Sequence, residues 1–340
     1  IFHCDLRESR QVGTRAIHST VVFRQRAMSL ERPFELLIEG CQKTSLARSG
    51  GVTGKKGIIG SGFQEIVSGQ PFGRTNRTYV SHATYATYIR CHDDIGWAIT
   101  DEDAADMAIS GPAHRRYLSE FYEGGFPGSF AQGVNFQVNE STGDKRISGS
   151  FASLAGLERA MAAGNPDAME QALQRIHLGH ALIASFGGIP LIYMGDELAQ
   201  TNDYTYRDHP AHAHDSRWVH RPMMDWAQAA RRHGGDTPAS RAFLGLRHIL
   251  ARRRATPGLH AAYPTRVLDT GLAPLLAVLR DAPTGPILCL FNFAETWLYL
   301  PAAFARVQGI THMHDSLSDQ QVTLHDDQIA LPPYARLWLT

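Results

Sequence analysis

His92-Asp93-Asp94 puts three ionisable side chains side by side, directly after a run in which Tyr85, Thr87 and Ile89 alternate with small or polar residues. That alternation is a strand pattern. Ionisable groups at the carboxyl end of a parallel strand are where chemistry usually sits. Gly96 allows a sharp backbone turn, and Trp97 adds a flat apolar face. A merely acidic surface loop is the alternative reading of these ten residues. A second apolar run, Ile189-Pro190-Leu191-Ile192-Tyr193-Met194, also finishes in carboxylates, at Gly195-Asp196-Glu197. Further on, Ser216-Arg217-Trp218-Val219-His220-Arg221-Pro222 sets two arginines around Trp and His. Arginines near carboxylate-bearing strand ends suit polyhydroxyl or anionic ligands.

Patterning gives the elements that hold these groups. Asn165-Pro166-Asp167 is a helix start with Pro at the first turn, and Gly187-Gly188 is a stop. The helix between them carries His177 and His180, which read as helix-surface or core-edge residues rather than ligands. The Ile189–Met194 run after it is wholly apolar, as for a strand buried on both faces of a parallel sheet. Strand, helix, strand with polar carboxyl ends is a βαβ signature. Asp101-Glu102-Asp103 opens a helix, and the rest of residues 98–150 reads as a long excursion outside regular structure. Ala239 to Arg254 is an amphipathic helix ending in three arginines, which favour a helix C-terminus. After Pro257 the text changes to short strands: Leu275–Arg280, Pro286–Phe293, Trp297–Leu300, Gln321–Leu324, Gln328–Leu331 and Tyr334–Leu339.

Composition narrows the function classes. The 340 residues carry no net charge, so nothing overall points to nucleic acid or an anionic membrane. Cys4, Cys41, Cys91 and Cys289 are widely spaced, and suggest neither a zinc site nor a disulfide framework. A reducing, cytoplasmic setting is the default, and no apolar run is long enough to span a bilayer. His209, His212 and His214 cluster in a Pro/Ala/Asp loop that reads as solvated. Residues 1–80 differ from the rest, with 12 Lys+Arg against 6 Asp+Glu, while the remainder has 21 against 27. Their periodicity is poor, and they read as weakly structured and foreign to residues 81–340.

Four segments in order resemble amylosucrase-type members of the α-amylase family (glycoside hydrolase family 13). They are Tyr88-Ile89-Arg90-Cys91-His92-Asp93-Asp94-Ile95-Gly96-Trp97, Gly124-Gly125-Phe126-Pro127-Gly128-Ser129-Phe130, Gly187 to Glu197, and Asp215-Ser216-Arg217-Trp218-Val219-His220-Arg221-Pro222. The resemblance covers about residues 80–340. It implies an α/β fold: over 81–255 the C-terminal portion of a (β/α)8 TIM barrel, with its seventh and eighth strands and a loop insertion at about 98–150, then an all-β sandwich domain over 256–340. It also implies retaining glycosyl transfer, glucosyl from sucrose to an α-1,4-glucan. The same family's sucrose or α-glucoside hydrolases, and a non-catalytic carbohydrate-binding fragment, stand as alternatives. Partners would be sucrose and maltooligosaccharide or α-glucan. No metal or organic cofactor is implied, and the oligomeric state is left open.

By the same resemblance, His92 and Asp93 take the supporting role in transition-state stabilisation, gripping sugar hydroxyls as positive charge develops on the ring. Asp94 and Arg146 form a salt bridge at the base of the pocket. Arg221, Arg217 and Phe130 contact substrate. The nucleophile and acid/base carboxyls, which such chemistry places about 5–5.5 Å apart, precede the His-Asp stretch in the family. Neither of their motifs occurs in residues 1–80, where Asp5 and Glu65 are only formal candidates. The expectation is a chain inactive by itself, with residues 1–80 an altered reading such as a frameshift.

Overall fold

The computed structural model describes residues 86–97 and 99–340, with the backbone of His18–Thr20 (β1) and Lys43–Ser45 (β2), which pair antiparallel. Asp5, Glu65 and Tyr85 lie outside the described residues. The strand leading to His92 is short, Ala86–Thr87 (β3). Beyond it, the Thr100 side chain accepts from the Asp103 N–H at 3.1 Å and caps α1 (Asp101–Asp106), whose first turn holds three acidic residues. Ser110 caps α2 (Gly111–Glu123), Pro112 occupies its first turn, and Gly124 at φ 93° ends it. α2 buries Tyr117, Leu118, Phe121 and Tyr122, two adjacent pairs one helical turn apart. A hairpin of β4 (Val134–Phe136) and β5 (Arg146–Ser148) comes next. The 98–150 segment therefore has more regular structure than its sequence suggested. Its capping residues decided the matter: Thr100 and Ser110 start the two helices, and Gly124 ends the second.

Two short helices, α3 (Phe151–Leu154) and α4 (Leu157–Ala162), lead to α5 (Pro166–Ser185). α5 begins where Asn165-Pro166 required: the Asn165 side chain accepts from the Ala168 N–H at 3.1 Å. Its last eight residues, Leu178 to Ser185, are all buried. β6 (Ile189–Pro190) then pairs in parallel with β3, Ala86 opposite Ile189 and Thr87 opposite Pro190. The Thr87 hydroxyl donates to the Ile183 carbonyl at 3.0 Å, tying β3 to α5. One expectation fails here. Ile189 to Met194 is not buried on both faces: Ile189 is 60 % exposed, Leu191 44 % and Met194 57 %. The reason is topological, since among the described residues β3 is the only strand that pairs with β6.

After α6 (Trp226–Ala230) comes α7 (Pro238–Ala255), capped by Thr237 and packed against α5. α5 has no basic residue in its last turn, yet its terminal carbonyls still need donors. They come from distant sequence. Arg253 of α7 donates to Ala184 O at 2.7 Å and Gly188 O at 2.9 Å, and Arg280 donates to Ser185 O at 2.8 Å. Two cations thus meet the negative end of the helix dipole.

The remaining strands are β7 (Thr265–Leu268), β8 (Leu275–Ala282), β9 (Gly285–Asn292), β10 (Leu298–Pro301), β11 (His314–Asp315), β12 (Gln320–Gln321), β13 (Leu324–His325), β14 (Gln328–Leu331) and β15 (Arg336–Leu339), with α8 (Ala302–Val307) after β10. They form two antiparallel sheets, ordered β12-β11-β15-β9-β8-β7 and β10-β14-β13. Side chains of a strand alternate between faces, and here both faces of the larger sheet are buried. Leu275, Ala277, Leu279, Leu288 and Leu290 pack on Leu300, Ile329 and Leu331 of the smaller sheet. Leu276, Val278, Ile287, Cys289, Phe291 and Trp338 join the core that holds Leu173, Ile176 and Ile183 of α5. The result is three layers: helices, a six-stranded sheet and a three-stranded sheet. The expected sandwich is present, with a helix added and a helical backing on its other face.

His177 and His180 sit inside this packing. His180 is 2 % exposed, with its ring edge-on to Phe151. At Gly245 of α7 a methyl group would overlap the His177 ring, so the two helices approach closely there. Burial lowers the pKa of His177 to about 4 and of His180 to about 3. An unfolded chain takes up these protons once pH drops below about 6.5, while the folded chain resists until far lower. The stabilisation is thus complete above about pH 6.5 and is lost on acidification. Thermal melts should show the midpoint falling from pH 7 to pH 4, with a shallower fall in His180→Leu. Equal slopes in the two proteins would contradict a buried neutral ring.

Candidate functional site

The site begins with a buried cation. Arg90, 3 % exposed, donates to Asp196 Oδ1 from Nε at 2.9 Å and from Nη2 at 2.7 Å. Its Nη1 donates to the His220 carbonyl at 3.2 Å, and its guanidinium lies over the Tyr193 ring at 4.5 Å. Three segments distant in sequence are fixed together: the chain after β3, the chain after β6 and the 3-10 turn Ser216–His220. Burial raises the pKa of Asp196, and the Arg90 charge opposes the rise.

From Arg90 the chain emerges to the surface at His92 and Asp93. The Asp93 carboxylate accepts from Arg217 Nη1 at 2.9 Å. Arg217 in turn grips Asp215 with Nε and Nη2, both at 2.9 Å, and its guanidinium lies 4.7 Å from the Phe136 ring centroid. Asp215 raises the pKa of Arg217 and is itself held below the usual carboxylate range. The His92 carbonyl accepts from Arg221 Nε at 2.9 Å, Arg221 Nη2 at 2.6 Å and the His220 ring at 3.1 Å. His220 is 1 % exposed, and burial lowers its pKa to about 3. On the other flank, Ile95 and Ile147 exchange both backbone hydrogen bonds, at 2.8 and 2.9 Å. That bridge brings Asp94 to Arg146 at 3.3 Å.

The carboxylates of the cluster are thus each engaged by an arginine: Asp93 and Asp215 by Arg217, Asp94 by Arg146 and Asp196 by Arg90. Asp93, about one-third exposed, can still offer oxygen lone pairs to hydroxyl groups beside exposed His92. Asp196 is too deeply buried to reach a ligand. Among the described residues no group of three His, Cys, Asp or Glu could hold a metal ion. The His209/His212/His214 loop stacks instead, His212 lying 3.6 Å from the Trp218 ring and 4.3 Å from His209. Among the described residues no helix is long and apolar enough to cross a membrane.

The C-terminal sheets carry a likeness to known proteins. The family model of the amylosucrase C-terminal domain matches residues 265–340, from the first residue of β7 through β15. Residues 265–340 are thus similar to the C-terminal domain of amylosucrase. Solved structures also match in part. AmyP in complex with maltose is 13% identical, with 54% of this chain and 37% of that chain covered and a TM-score of 0.38. The cyclic α-maltosyl-(1→6)-maltose hydrolase from Arthrobacter globiformis is 18% identical, over 56% and 40%, at 0.33. The trehalose-6-phosphate hydrolase of Bacillus licheniformis is 14% identical, over 49% and 39%, at 0.35. The chain therefore spans well under half the length of these proteins.

Of the site residues singled out from the sequence, His92, Asp93, Asp94, Arg146, Arg217 and Arg221 come together. Two arginines differ from expectation in detail. Arg146 is half exposed, so water and salt screen its pair with Asp94 and the energy of a fully buried pair does not apply. Arg221 spends two donor atoms on the His92 backbone. Phe130 is not brought to this cluster. Its ring packs under Arg175 at 3.8 Å and edge-on to Phe121 at 5.1 Å, while Arg175 bonds Tyr334 and Glu295. Phe130 thus belongs to the seam between α5 and the C-terminal sheets. Arg90, Asp215 and His220 are the residues that sequence reasoning passed over. Their only signal was position: a cation ending an apolar strand, and a polar turn opened by Asp-Ser.

Removing Arg90 leaves Asp196 as a buried, unpaired charge. Arg90→Met should therefore lose about 3–5 kcal/mol in urea unfolding. The double variant Arg90→Met/Asp196→Leu should recover most of the loss, since replacing both members of such a pair is often neutral. A single variant as stable as the parent would contradict the arrangement.

Proposed function

We propose that this chain carries the sugar-gripping part of an amylosucrase-type site for retaining glucosyl transfer between sucrose and an α-1,4-glucan. In this reading β3 and β6 are the last two strands of a (β/α)8 barrel. His92 and Asp93 hold the hydroxyls of the transferred glucosyl unit. Asp94 with Arg146 bounds the base of the pocket, Arg217 orients Asp93, and Arg221 borders the acceptor side. The observation that supports it is the convergence of Arg217, His220 and Arg221, from one short stretch, on His92 and Asp93 beyond the carboxyl end of β3, which pairs in parallel with β6.

Asp93 supplies electrostatic stabilisation in this scheme. Hydrogen bonds from sugar hydroxyls to its carboxylate strengthen as positive charge builds on the ring. It does not supply the nucleophile or the acid/base group. A retaining mechanism needs both, and the motifs that carry them in amylosucrase-type proteins do not occur in this sequence. The chain should therefore bind sugar without turning it over.

Two measurements test the proposal together. Calorimetric titration with sucrose and with maltotriose should show binding that Asp93→Asn weakens about tenfold, the loss of one charge-assisted hydrogen bond or two neutral ones. Incubation with sucrose should release neither fructose nor glucose above a protein-free control. Absence of binding to either sugar would overturn the assignment. Sucrose turnover would overturn the claim that the central carboxylates are missing.

A further inference from the structure

We propose that His220 is a positioning residue, a neutral imidazole that holds the His92–Asp93 peptide in its sugar-receiving orientation by bridging it to Gly149. The inference rests on the proposed sugar site and assigns His220 its part in it. His220 is 1 % exposed, so it acts through the backbone rather than on a ligand.

The geometry dictates its protonation. The Gly149 N–H lies 3.0 Å from His220 Nδ1. A backbone N–H can only donate, so Nδ1 must present a lone pair. A neutral ring then carries its proton on Nε2. That nitrogen is 3.1 Å from the His92 carbonyl oxygen, which can only accept. Acceptor and donor demands on the two sides agree on one tautomer. Burial, with Arg90 nearby, disfavours the charged ring, which could not accept from Gly149.

The consequence for the site follows from peptide planarity. Fixing the direction of the His92 carbonyl fixes the N–H and Cα of Asp93. The Asp93 carboxylate is separately held by Arg217, from the same turn as His220. Backbone and side chain of one residue are therefore aimed by a single 3-10 turn. Arg221 also donates to the His92 carbonyl, but it is partly exposed and free to exchange that bond for water or sugar. His220 is enclosed and cannot, so it keeps the peptide in place when Arg221 moves.

The test separates the two ring nitrogens. In His220→Asn the carboxamide oxygen can replace Nδ1 and accept from Gly149, but the side chain is too short to reach His92. In His220→Gln the longer amide can donate to the His92 carbonyl. Maltotriose and sucrose titrations, with a melting temperature for each variant, are compared with the parent. The expected result is a split: His220→Gln binds within about threefold of the parent, and His220→Asn binds about tenfold more weakly or worse. The split should persist where the two variants melt together, which a purely structural role would not produce. Ring ¹⁵N shifts of the parent at pH 7 should show a proton on Nε2 and none on Nδ1. Equal affinities of the two variants, or a proton on Nδ1, would overturn the role of His220 while leaving the sugar site intact. A parent that binds neither sugar would overturn the proposed site, and this role with it.

Discussion

A guanidinium withdrawn from water must find partners, and Arg90 finds them on two segments distant from it in sequence. Asp196 and the Tyr193 face come from the chain beyond β6, and the His220 carbonyl from the 3-10 turn. Burying the pair has a large desolvation cost that its own attraction only roughly offsets. Its contribution is therefore one of geometry more than of net stability. Once Arg90 is satisfied, the chain has little freedom in how it leaves the interior. His92, Asp93 and Asp94 come out beside the turn that supplies Arg217, His220 and Arg221.

The same economy of cations recurs at the far end of α5. Arg253 and Arg280 reach its terminal carbonyls from α7 and β8. Arg280 also donates to the carbonyls of His260 and Tyr263, at 2.7 and 3.0 Å. It is fully buried, and burial lowers its pKa to about 10. The helix that separates β3 from β6 in sequence is thus held at its C-terminus by residues from α7 and from the C-terminal sheets. Position at the end that carries His92 and Asp93 depends on anchoring at the other.

Local rules were legible wherever the local signal was also the deciding one. Asn165-Pro166 started α5, the acidic triplet began α1, and the turn-separated runs after Pro257 became strands of two sheets. The parallel pairing of the two apolar runs was legible too. Where partners decided, the sequence was silent. An apolar run such as Ile189 to Met194 specifies a strand but not whether neighbours will cover it. Phe130 stood in one of the segments that carry the resemblance, yet its ring was claimed by Arg175 of α5, 45 residues away. α2 was overlooked because its charges masked the spacing of its apolar residues. Nothing in the text Val219-His220-Arg221 distinguishes a buried tautomer-fixed ring from a solvated one. That distinction depends on Gly149 and on the His92 carbonyl, both remote in sequence.

The six-stranded sheet is a shared wall rather than an appendage. One of its faces closes the C-terminal sandwich, and the other completes the core around α5, with Val278, Cys289, Phe291 and Trp338 packed toward the helix. An accessory domain with a solvated outer face can be exchanged between proteins as a cassette. This one cannot: grafting it elsewhere, or replacing it with an unrelated sheet, would uncover apolar side chains on both halves. Any recombination that preserves the protein must therefore carry the α5-facing residues of β8, β9 and β15 together with the helix they cover. Drift in Trp338 or Phe291 must be answered by compensating change in α5.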